Sequence, residues 1–309
     1  MRIGIDLGGT KTEGVVIDSR GIVQIRKRVA TPAHSYSAII TTIAELVGVL
    51  EAEVGSRCVV GLAMPGSIAP GSGLVRNANT VVLIDRALGA DLKRVLKRPV
   101  RLENDANCFV VSEAIDGAAT GARSAFGVII GTGTGGGIWL DGKLLTGWSN
   151  NAGEWGHNPL PWMSDAERDN RVCYCGKLGC IETFLSGSGL RQTYQNLGGT
   201  SAHEPAHIVR QAEAGDPIST AALEIYVDQL GRGLASVINI IDPEVVVLGG
   251  GLSNIDSLYD RVPKAIDGYV FSDGYRGRIA RARHGDSSGV LGAANLWTVA
   301  EGKKCSVAP

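Results

Sequence analysis

The chain has 309 residues, of which 44% are hydrophobic, so it is long enough to build a large core, and we expect two lobes. Its 30 basic and 31 acidic residues give a formal charge of −1, which argues against a nucleic-acid or membrane surface. No signal peptide or membrane span is apparent, so we expect a cytoplasmic protein whose thiols stay reduced.

A glycine loop follows the first predicted strand. Residues 2–8 form a short apolar run that ends in glycine, which is typical of a buried strand. Two β-branched segments, 13–17 and 22–29, come next and predict a hairpin. The common phosphate-loop patterns need a helix at this point and are absent, but loop amides with a nearby lysine can still hold a phosphate. The loop residues are Gly8, Gly9, Thr10 and Lys11.

Helices and strands then alternate, as in α/β proteins. Their predicted order is helix 36–54, strand 58–63, helix 88–97 and strand 99–102. The last of these strands leads to Asn104 and Asp105, where a helix through residue 117 should begin. Ligands of open α/β sheets bind outside the carboxyl ends of strands, so this junction is a candidate site. Helix capping is the alternative for both side chains, and the two roles can coexist.

A second glycine loop repeats the first arrangement. It lies between strands 126–130 and 138–140, and a tight turn leads to a further strand at 143–145. Two loops in matching hairpins predict a duplicated domain in which a loop from each half faces a shared phosphate. Two ordinary tight turns are the alternative. The loop includes Gly131, Thr132 and Gly133.

Residues 154–182 contain three cysteines within eight positions and one histidine before them. Three thiolates and one imidazole are a preferred tetrahedral shell for zinc, and reduced thiols are expected here. The alternatives are a disulfide among the cysteines, or buried thiols beside a core histidine. The predicted zinc ligands are His157, Cys173, Cys175 and Cys180.

Two glutamates, Glu154 and Glu182, stand at the ends of this segment, two or three residues from a predicted ligand. A metal that fixes the ligands also fixes these carboxylates, so we expect them to bind hydroxyl groups in a cleft. Either glutamate taken alone would ordinarily be a solvated surface group.

The rest of the chain again alternates helices and strands. The predicted order is helix 204–214, helix 217–241, strand 244–248, helix 256–270, strand 278–283 and helix 286–300. Gly249, Gly250 and Gly251 follow the strand at 244–248 and remove every side chain there, so a flat nucleoside could lie against the backbone. A plain strand–helix connection is the alternative.

We place the domain boundary near residues 117–123. The first α/β lobe would comprise residues 1–118 together with a closing helix at 286–309. The second α/β lobe would comprise residues 119–285 and carry the zinc segment.

Six motifs together resemble the ROK family of bacterial sugar kinases and repressors over essentially the whole chain. They are IDLGGTKT (5–12), LENDAN (102–107), IGTGTGGG (130–137), GEWGH (153–157), CYCGKLGCIE (173–182) and VVLGGG (246–251). The resemblance implies the actin-like ATPase (ribonuclease H-like) fold, an α/β fold duplicated into two lobes around a central cleft. It also suggests a homodimer. GEWGHNPLPW and CYCGKLGCIETFLSG further resemble the fructokinase (mannofructokinase) branch.

The resemblance implies a role for each motif. Asp105 would be the catalytic base, and Asp6 would lie near Mg²⁺, through water. His157 would place one ring nitrogen on zinc and the other toward the sugar. The implied sugar contacts are Gly66, Asn79, Asn104, Asp105, Glu154, His157 and Glu182. The implied ATP contacts are Gly8, Gly9, Thr10, Lys11, Gly131, Thr132 and Gly133 for the phosphates, and Gly249, Gly250 and Gly251 for the nucleoside.

We therefore expect an ATP-dependent kinase of the 6-hydroxyl of a free hexose, with Mg²⁺ and a structural Zn²⁺. We predict fructose as the sugar, because Trp155 and the segment 159–162 would form a bulky flank that leaves little space for an N-acetyl group. N-acetylglucosamine kinase and glucokinase are the alternatives within the family.

Two further alternatives are regulators. A repressor would need a DNA-binding helix-turn-helix, for which the chain has no room before its first loop. A non-catalytic sugar-responsive regulator would be expected to have lost Asp105. We expect no nucleic-acid or membrane partner.

Overall fold

The computed structural model describes residues 1–168, 171–200 and 204–305. Within these residues the strands are β1 (Arg2–Leu7), β2 (Lys11–Ile17), β3 (Val23–Ala30), β4 (Val59–Met64), β5 (Ser67–Ile68), β6 (Val75–Arg76), β7 (Val100–Asn104), β8 (Ser124–Ile130), β9 (Thr134–Leu140), β10 (Lys143–Leu145), β11 (Val245–Gly249) and β12 (Arg278–Arg281). The helices are α1 (Tyr36–Val54), α2 (Leu88–Leu96), α3 (Asp105–Ile115), α4 (Asp165–Arg168), α5 (Glu182–Leu185), α6 (Gly187–Asn196), α7 (Pro205–Glu213), α8 (Pro217–Ile241), α9 (Leu258–Asp267), α10 (Ser288–Asn295) and α11 (Val299–Cys305).

The two five-stranded sheets share one topology. Their strand orders are β3-β2-β1-β4-β7 and β10-β9-β8-β11-β12. In the first sheet β1 pairs antiparallel with β2 and parallel with β4. In the second sheet β8 pairs antiparallel with β9 and parallel with β11 in the same way. This repetition confirms the duplicated α/β fold that the two glycine loops predict.

The chain divides into two compact units. The first contains Met1–Ile115, Leu144–Ala152 and the described residues from Ser287 onward. The second contains Asp116–Lys143 and Gly153–Asp286. The segment 144–152 therefore groups with the first unit, whereas the sequence placed it in the second lobe. A polar contact accompanies this placement, because the Asn150 side chain donates to the carbonyl of Ile68 at 2.9 Å.

The first unit is built on apolar strands covered by helices. Ile3 and Ile5 of β1 are fully buried, and α1 turns Ile39, Ile43 and Leu50 toward the same core. The closing helix predicted at 286–309 is two helices, α10 and α11; residues 306–309 lie outside the described residues.

The second unit is organised by the long helix α8. It begins at Pro217 because the Asp216 side chain caps it by accepting the amide of Ser219 at 2.8 Å. Tyr226, Leu230 and Leu234 of this helix are fully buried. Between Glu182 and Asn196 lie α5 and α6, which the sequence did not predict.

Among the helices of the described residues, none has the length and apolar composition that crossing a membrane would need.

Candidate functional site

The junction of β7 and α3 holds two of the predicted site residues in fixed positions. The Asn104 Oδ1 atom accepts the amides of Ala106 at 2.8 Å and Asn107 at 3.3 Å, so this side chain caps α3. Its Nδ2 atom donates to the carbonyl of Gly66 at 3.1 Å. The Asp105 carboxylate accepts the amide of Ala106 at 2.9 Å, which holds it at the start of the helix.

Asp105 belongs to an acidic centre in the first unit. Burial, together with the charges of Asp105 and Glu13, raises the pKa of Asp6 to about 7, and the charge of Lys11 opposes this shift. The Asp105 side chain is solvent-accessible, yet desolvation by the surrounding protein also raises the pKa of its carboxyl. A divalent cation prefers carboxylate oxygens and would favour their ionised form, so the residues fit a magnesium site.

The first glycine loop is shorter than predicted. The amide of Gly8 donates to the carbonyl of Lys11 at 3.1 Å, and Lys11 is already the first residue of β2. Gly9, Thr10 and Lys11 are exposed. The loop therefore presents backbone amides and one lysine to solvent.

The remaining predicted sugar contacts of the first unit are Gly66, which follows β4, and Asn79, which follows β6. Gly66 has a φ angle of 78°, in the left-handed region that favours glycine, and its carbonyl receives the Asn104 bond. Asn79 is exposed just after β6, and its Oδ1 atom accepts a long bond from the Thr80 hydroxyl at 3.5 Å.

The structure brings the four predicted zinc ligands together. Their ligand atoms all lie within 4.8 Å of one another. His157 Nδ1 lies 3.5 Å from Cys173 Sγ, and Cys175 Sγ lies 3.6 Å from Cys180 Sγ. Tetrahedral zinc with Zn–S bonds of about 2.3 Å places two sulfurs about 3.8 Å apart. The separations fit such a shell and are far too long for a disulfide, whose sulfurs lie about 2.05 Å apart.

The thiols of this group have unequal proton affinities. Burial raises the pKa of Cys180 to about 12 and also raises that of Cys173. The pKa of Cys175 is lowered, chiefly by a hydrogen bond from the backbone amide of Lys177. Three thiols this close need a cation to ionise together, as the chemistry of a metal site requires.

Arg171 connects residues 153–182, here called the metal segment because they carry the four predicted ligands, to α5 and α6. Its side chain is 4% exposed and donates to the carbonyls of Thr183 at 2.7 Å and Gly189 at 3.1 Å. It also donates to the hydroxyl of Thr193 at 2.7 Å and lies over the ring of Phe184. Burial lowers the pKa of the guanidinium to about 10. The positions of α5 and α6 are thereby coupled to the segment.

Close packing fixes Glu154. A Cβ on Gly156 would overlap the carbonyl oxygen of Thr134, and one on Gly153 would lie 2.6 Å from the carbonyl of Gly136. Both glycines therefore allow the GEWGH motif to lie directly on the backbone of β9. Glu154, between them, is exposed.

Glu182 connects the metal segment to the second glycine loop. Its Oε2 atom accepts the amide of Thr134 at 3.0 Å. A Cβ on Gly133 would lie 2.8 Å from that oxygen. Only glycine at this position therefore leaves room for the Glu182 carboxylate to approach the loop. Thr134 is the first residue of β9, which makes the loop itself shorter than the predicted 131–137.

His157 departs from the double role that the sequence implied. Its Nδ1 atom faces the sulfurs, but its Nε2 atom lies 2.9 Å from the hydroxyl of Tyr174. The nitrogen that was expected to face the sugar therefore contacts a tyrosine that the sequence did not single out.

The predicted aromatic flank is wrong. Trp155 is 3% exposed, packs edge-on against Phe126 and donates from Nε1 to the carbonyl of Gly135 at 3.1 Å. Trp162 lies against Tyr269, with ring centroids 5.1 Å apart. Because Trp155 faces the core and Trp162 packs on Tyr269, these rings supply no wall against an N-acetyl group.

The second unit contains a cavity of about 720 Å³, within the usual range for small-molecule sites. Two of the predicted nucleotide-binding segments meet there, since Gly131 and Thr132 line it together with Gly251. Gly249 is the buried last residue of β11, and Gly250 has a φ angle of 82° and turns the chain toward the cavity. The other lining residues include Gly187, Ser188, Arg191, Glu204, Pro205, Arg210 and Leu252.

Several residues of this site were missed by sequence reasoning. Ser188 and Arg191 lie on α6, and Pro205 begins α7. The Ser186 side chain caps α6 by accepting the amide of Gly189 at 3.1 Å, and a serine before a helical stretch is a signal that was available. Tyr174 had no such signal.

Comparisons with known proteins agree with this architecture. The family model of the ROK family matches residues 2–300. An N-acetyl-D-glucosamine kinase from Salmonella gallinarum is 40% identical over 300 residues, covering 96% of this chain and 99% of that protein.

Two solved structures are also similar. A ROK hexokinase from Thermus thermophilus superposes with a TM-score of 0.83 at 32% identity, covering 95% of this chain and 96% of that one. A ROK family glucokinase from Streptomyces griseus, in complex with glucose and AMPPNP, superposes with a TM-score of 0.79 at 28% identity, covering 96% and 98%. With its duplicated sheets, glycine loops and metal segment, this chain belongs to the ROK family and has the actin-like ATPase fold.

Proposed function

We propose that this protein is an ATP-dependent sugar kinase that phosphorylates the 6-hydroxyl of a free hexose, with N-acetylglucosamine as the preferred sugar. The observation that carries the proposal is the acidic centre at the carboxyl ends of β1 and β7. There the Asp105 carboxylate is held at a helix start and lies within electrostatic reach of the half-buried Asp6. Phosphoryl transfer needs such positioning and charge compensation more than covalent chemistry.

Asp105 would act as the general base. Its carboxylate accepts the proton of the sugar hydroxyl as the bond from that oxygen to phosphorus forms. Its raised pKa makes it a stronger base than an ordinary aspartate. Asp6 would hold Mg²⁺ through water, and the bound ion would supply positive charge for the phosphoryl transfer.

Glu154 and Glu182 would recognise sugar hydroxyls. An ionised carboxylate only accepts hydrogen bonds, so each glutamate selects a hydroxyl as donor and helps to set which hydroxyl reaches the phosphate. Asn104, with its amide fixed by Gly66 and by the α3 cap, would also contact a sugar hydroxyl, as would Gly66 and Asn79. Zn²⁺ bound by His157 and the three cysteines would supply rigidity to the segment that carries the glutamates.

The 720 Å³ cavity of the second unit would hold the nucleoside of ATP. Gly131 and Thr132 lie at one side of it, where phosphates would meet loop amides, and Gly251 leaves room for a flat ring. The exposed loop of Gly8 to Lys11 would supply amides and a positive charge to phosphates.

The choice of sugar rests on two observations. The relative from Salmonella gallinarum that is named for N-acetyl-D-glucosamine matches almost its entire length. The aromatic flank on which fructose was predicted is not available to the site, because Trp155 is buried and Trp162 packs on Tyr269. No structural argument for fructose therefore remains, and we propose N-acetylglucosamine, which was an alternative within the family, as the preferred sugar.

A panel of free sugars tests this proposal. We expect wild-type protein with ATP and Mg²⁺ to phosphorylate N-acetylglucosamine with the highest kcat/KM among N-acetylglucosamine, glucose, mannose and fructose. A discrimination on the order of 10- to 100-fold is the usual result of pocket shape alone. A higher kcat/KM for fructose would restore the first prediction, and inactivity on every sugar would contradict the kinase proposal itself.

A further inference from the structure

One end of the 720 Å³ cavity is formed by the starts of two helices and by the second glycine loop. The amide of Gly187, the first residue of α6, donates to the carbonyl of Gly131 at 2.8 Å. A Cβ on Gly187 would lie 3.1 Å from Cγ of Pro205, the first residue of α7. The loop proposed for the phosphates therefore meets α6 and α7 at their first residues.

Arg191 lies one helical turn beyond Gly187 on the same face of α6, about 6 Å further along the helix axis. It lines the cavity with a side chain that is 38% exposed, so a ligand there can reach it. Its Nε atom is buried and has no hydrogen-bond partner among the described residues. Buried donors are normally paired, so this guanidinium has hydrogen-bonding capacity that the protein does not use.

Glu204, immediately before α7, places a carboxylate beside this guanidinium and also lines the cavity. Arg191 Nη1 and Glu204 Oε1 are 4.0 Å apart, which is too long for a hydrogen bond. The Glu204 side chain is 77% exposed. The pair therefore offers donors and an acceptor side by side, and neither group satisfies the other.

The surroundings of this pair suit a flat ring with a polar edge. Pro205, Val209, Leu252 and Ile255 contribute apolar surface to the cavity. The other charged residues of α7 that line it, Arg210 and Glu213, are exposed. Adenine has two apolar faces and an edge on which the 6-amino donor stands beside a ring-nitrogen acceptor. A carboxylate next to a guanidinium complements that edge.

We propose that Arg191 and Glu204 recognise the base of the nucleotide. Glu204 accepts a hydrogen bond from the 6-amino group of adenine, and Arg191 donates to the ring nitrogen beside it, N1 or N7. The inference rests on the proposed function, because it assumes that the cavity holds the nucleoside of ATP. It adds base recognition, which the glycine segments do not provide, since their backbone amides would contact phosphates that all nucleotides share.

Three analogues of ATP test this proposal in the wild-type protein with saturating N-acetylglucosamine. Purine riboside triphosphate lacks the 6-amino group, and 1-deaza-ATP and 7-deaza-ATP each replace one ring nitrogen with carbon. We expect the KM of purine riboside triphosphate to exceed that of ATP about tenfold, because one hydrogen bond to a charged group is lost. One of the two deaza analogues should show a similar rise, and it identifies the nitrogen that Arg191 contacts.

Two variants assign these effects to the two side chains. Glu204→Ala should raise the KM of ATP to that of purine riboside triphosphate and remove the difference between them. Arg191→Met keeps the aliphatic stem but removes the guanidinium, so it should abolish the difference between ATP and the sensitive deaza analogue. Glu224→Ala and Arg123→Met are the matched controls, because both residues are exposed in the same unit and outside the cavity lining. Both controls should keep the wild-type ratios.

Equal KM values for ATP and all three analogues in the wild-type protein would overturn the inference. An equal rise in the KM of every nucleotide in Arg191→Met would also overturn it, because Arg191 would then contact the phosphates. Calorimetric titration with ADP and the matching diphosphates separates the inference from the kinase proposal. Base-dependent binding without phosphorylation of any sugar would contradict the kinase alone, whereas phosphorylation without base preference would contradict the inference alone.

Discussion

The two regions to which we assign the sugar contacts are held in place by different means. Asp105 stands at the end of a regular strand and the start of an eleven-residue helix, where the Asn104 amide and the buried side chains of α3 fix it. Among its described residues, 153–168 and 171–182, the metal segment has almost no regular structure. It consists of a 3₁₀ turn, the four-residue helix α4 and two isolated bridges, Pro159 with Cys180 and Val172 with Leu178.

This difference determines how each region should respond to change. The frame around Asp105 is a sheet and helix core, so one substitution removes one chemical group and leaves the frame intact. The metal segment exposes Val172 and Leu178, although Trp155, Leu160 and Ile181 are buried in the core of the second unit. Its geometry depends on the four ligands and on Arg171, so the loss of one ligand should alter every side chain that it carries.

The largest effect is expected from Asp105→Asn. The variant keeps the shape of the side chain but removes the base, so kcat should fall by about 10²-fold or more while sugar binding changes little. Asp85→Asn, in an exposed ion pair with Arg76 of the same unit, is the control and should retain activity. Near-normal turnover of Asp105→Asn would show that Asp105 is not the base and that it only stabilises the start of α3.

The second effect is expected from Cys175→Ser. Loss of one thiolate should release zinc and loosen the segment that holds Glu154 and Glu182, raising the sugar KM about 10- to 100-fold while the ATP KM changes far less. The buried thiol of Cys58 lies in the first unit, so Cys58→Ser should keep its zinc. Wild-type protein purified without stoichiometric zinc would end this part of the proposal.

The third prediction tests whether the cavity of the second unit binds the nucleotide independently of the sugar contacts Glu154 and Glu182. A Cβ on Gly131 meets no atom within 4 Å, so Gly131→Val should fold normally and place its side chain in the cavity. We expect the ATP KM to rise about tenfold with little change in the sugar KM. Gly133→Val would not distinguish nucleotide binding from sugar binding, because the valine side chain would clash with the Glu182 carboxylate.

Gly48→Val is the matched control for Gly131→Val, because Gly48 is an exposed position of α1 with equally open space. A raised sugar KM with an unchanged ATP KM in Gly131→Val would reverse the assignment of the cavity.

The smallest effect concerns pH. Asp6 keeps its proton up to about pH 7 in the folded protein, whereas an ordinary aspartate ionises at 3.8. The folded state thus binds more protons than the unfolded state between these values, and stability should fall as the pH rises through this window. The slope from one group is at most about 1.4 kcal/mol per pH unit. Asp6→Asn should flatten the pH dependence of urea unfolding between pH 4.5 and 6.5, measured without nucleotide or Mg²⁺; equal slopes would contradict the raised pKa.

Much of the fold could be predicted because its signals are local. Apolar strands such as β1, β4, β8 and β11 are short buried runs bounded by glycine. Helix α8 begins at an Asp–Pro pair, and both of its ends were predicted to the residue. Helix α6 was missed because its first turn is rich in glycine, which has low helix propensity. Gly189 is needed there because a Cβ would overlap the backbone of Phe184, a tertiary constraint that no local pattern reveals.

The candidate site was predictable to a similar extent. The ligand spacing predicted the cluster of His157 with three cysteines, and the strand-end position predicted the environment of Asp105. The direction in which a ring faces was not predictable. Trp155 looked like a wall of the site but fills the core, whereas Tyr174, seventeen residues from His157, reaches its imidazole. Both facts depend on packing between segments.

The central claim is that sugar recognition depends on the metal segment, whereas nucleotide binding uses the separate cavity lined by Gly131 and Gly251. The most direct measurement is a chelator titration of the wild-type protein, with the Kd of the preferred sugar and of ATP measured at each level of bound zinc. We predict that the sugar Kd rises roughly tenfold or more as zinc is removed, while the ATP Kd stays within about twofold. Sugar binding that is unaffected by complete zinc removal would contradict the claim.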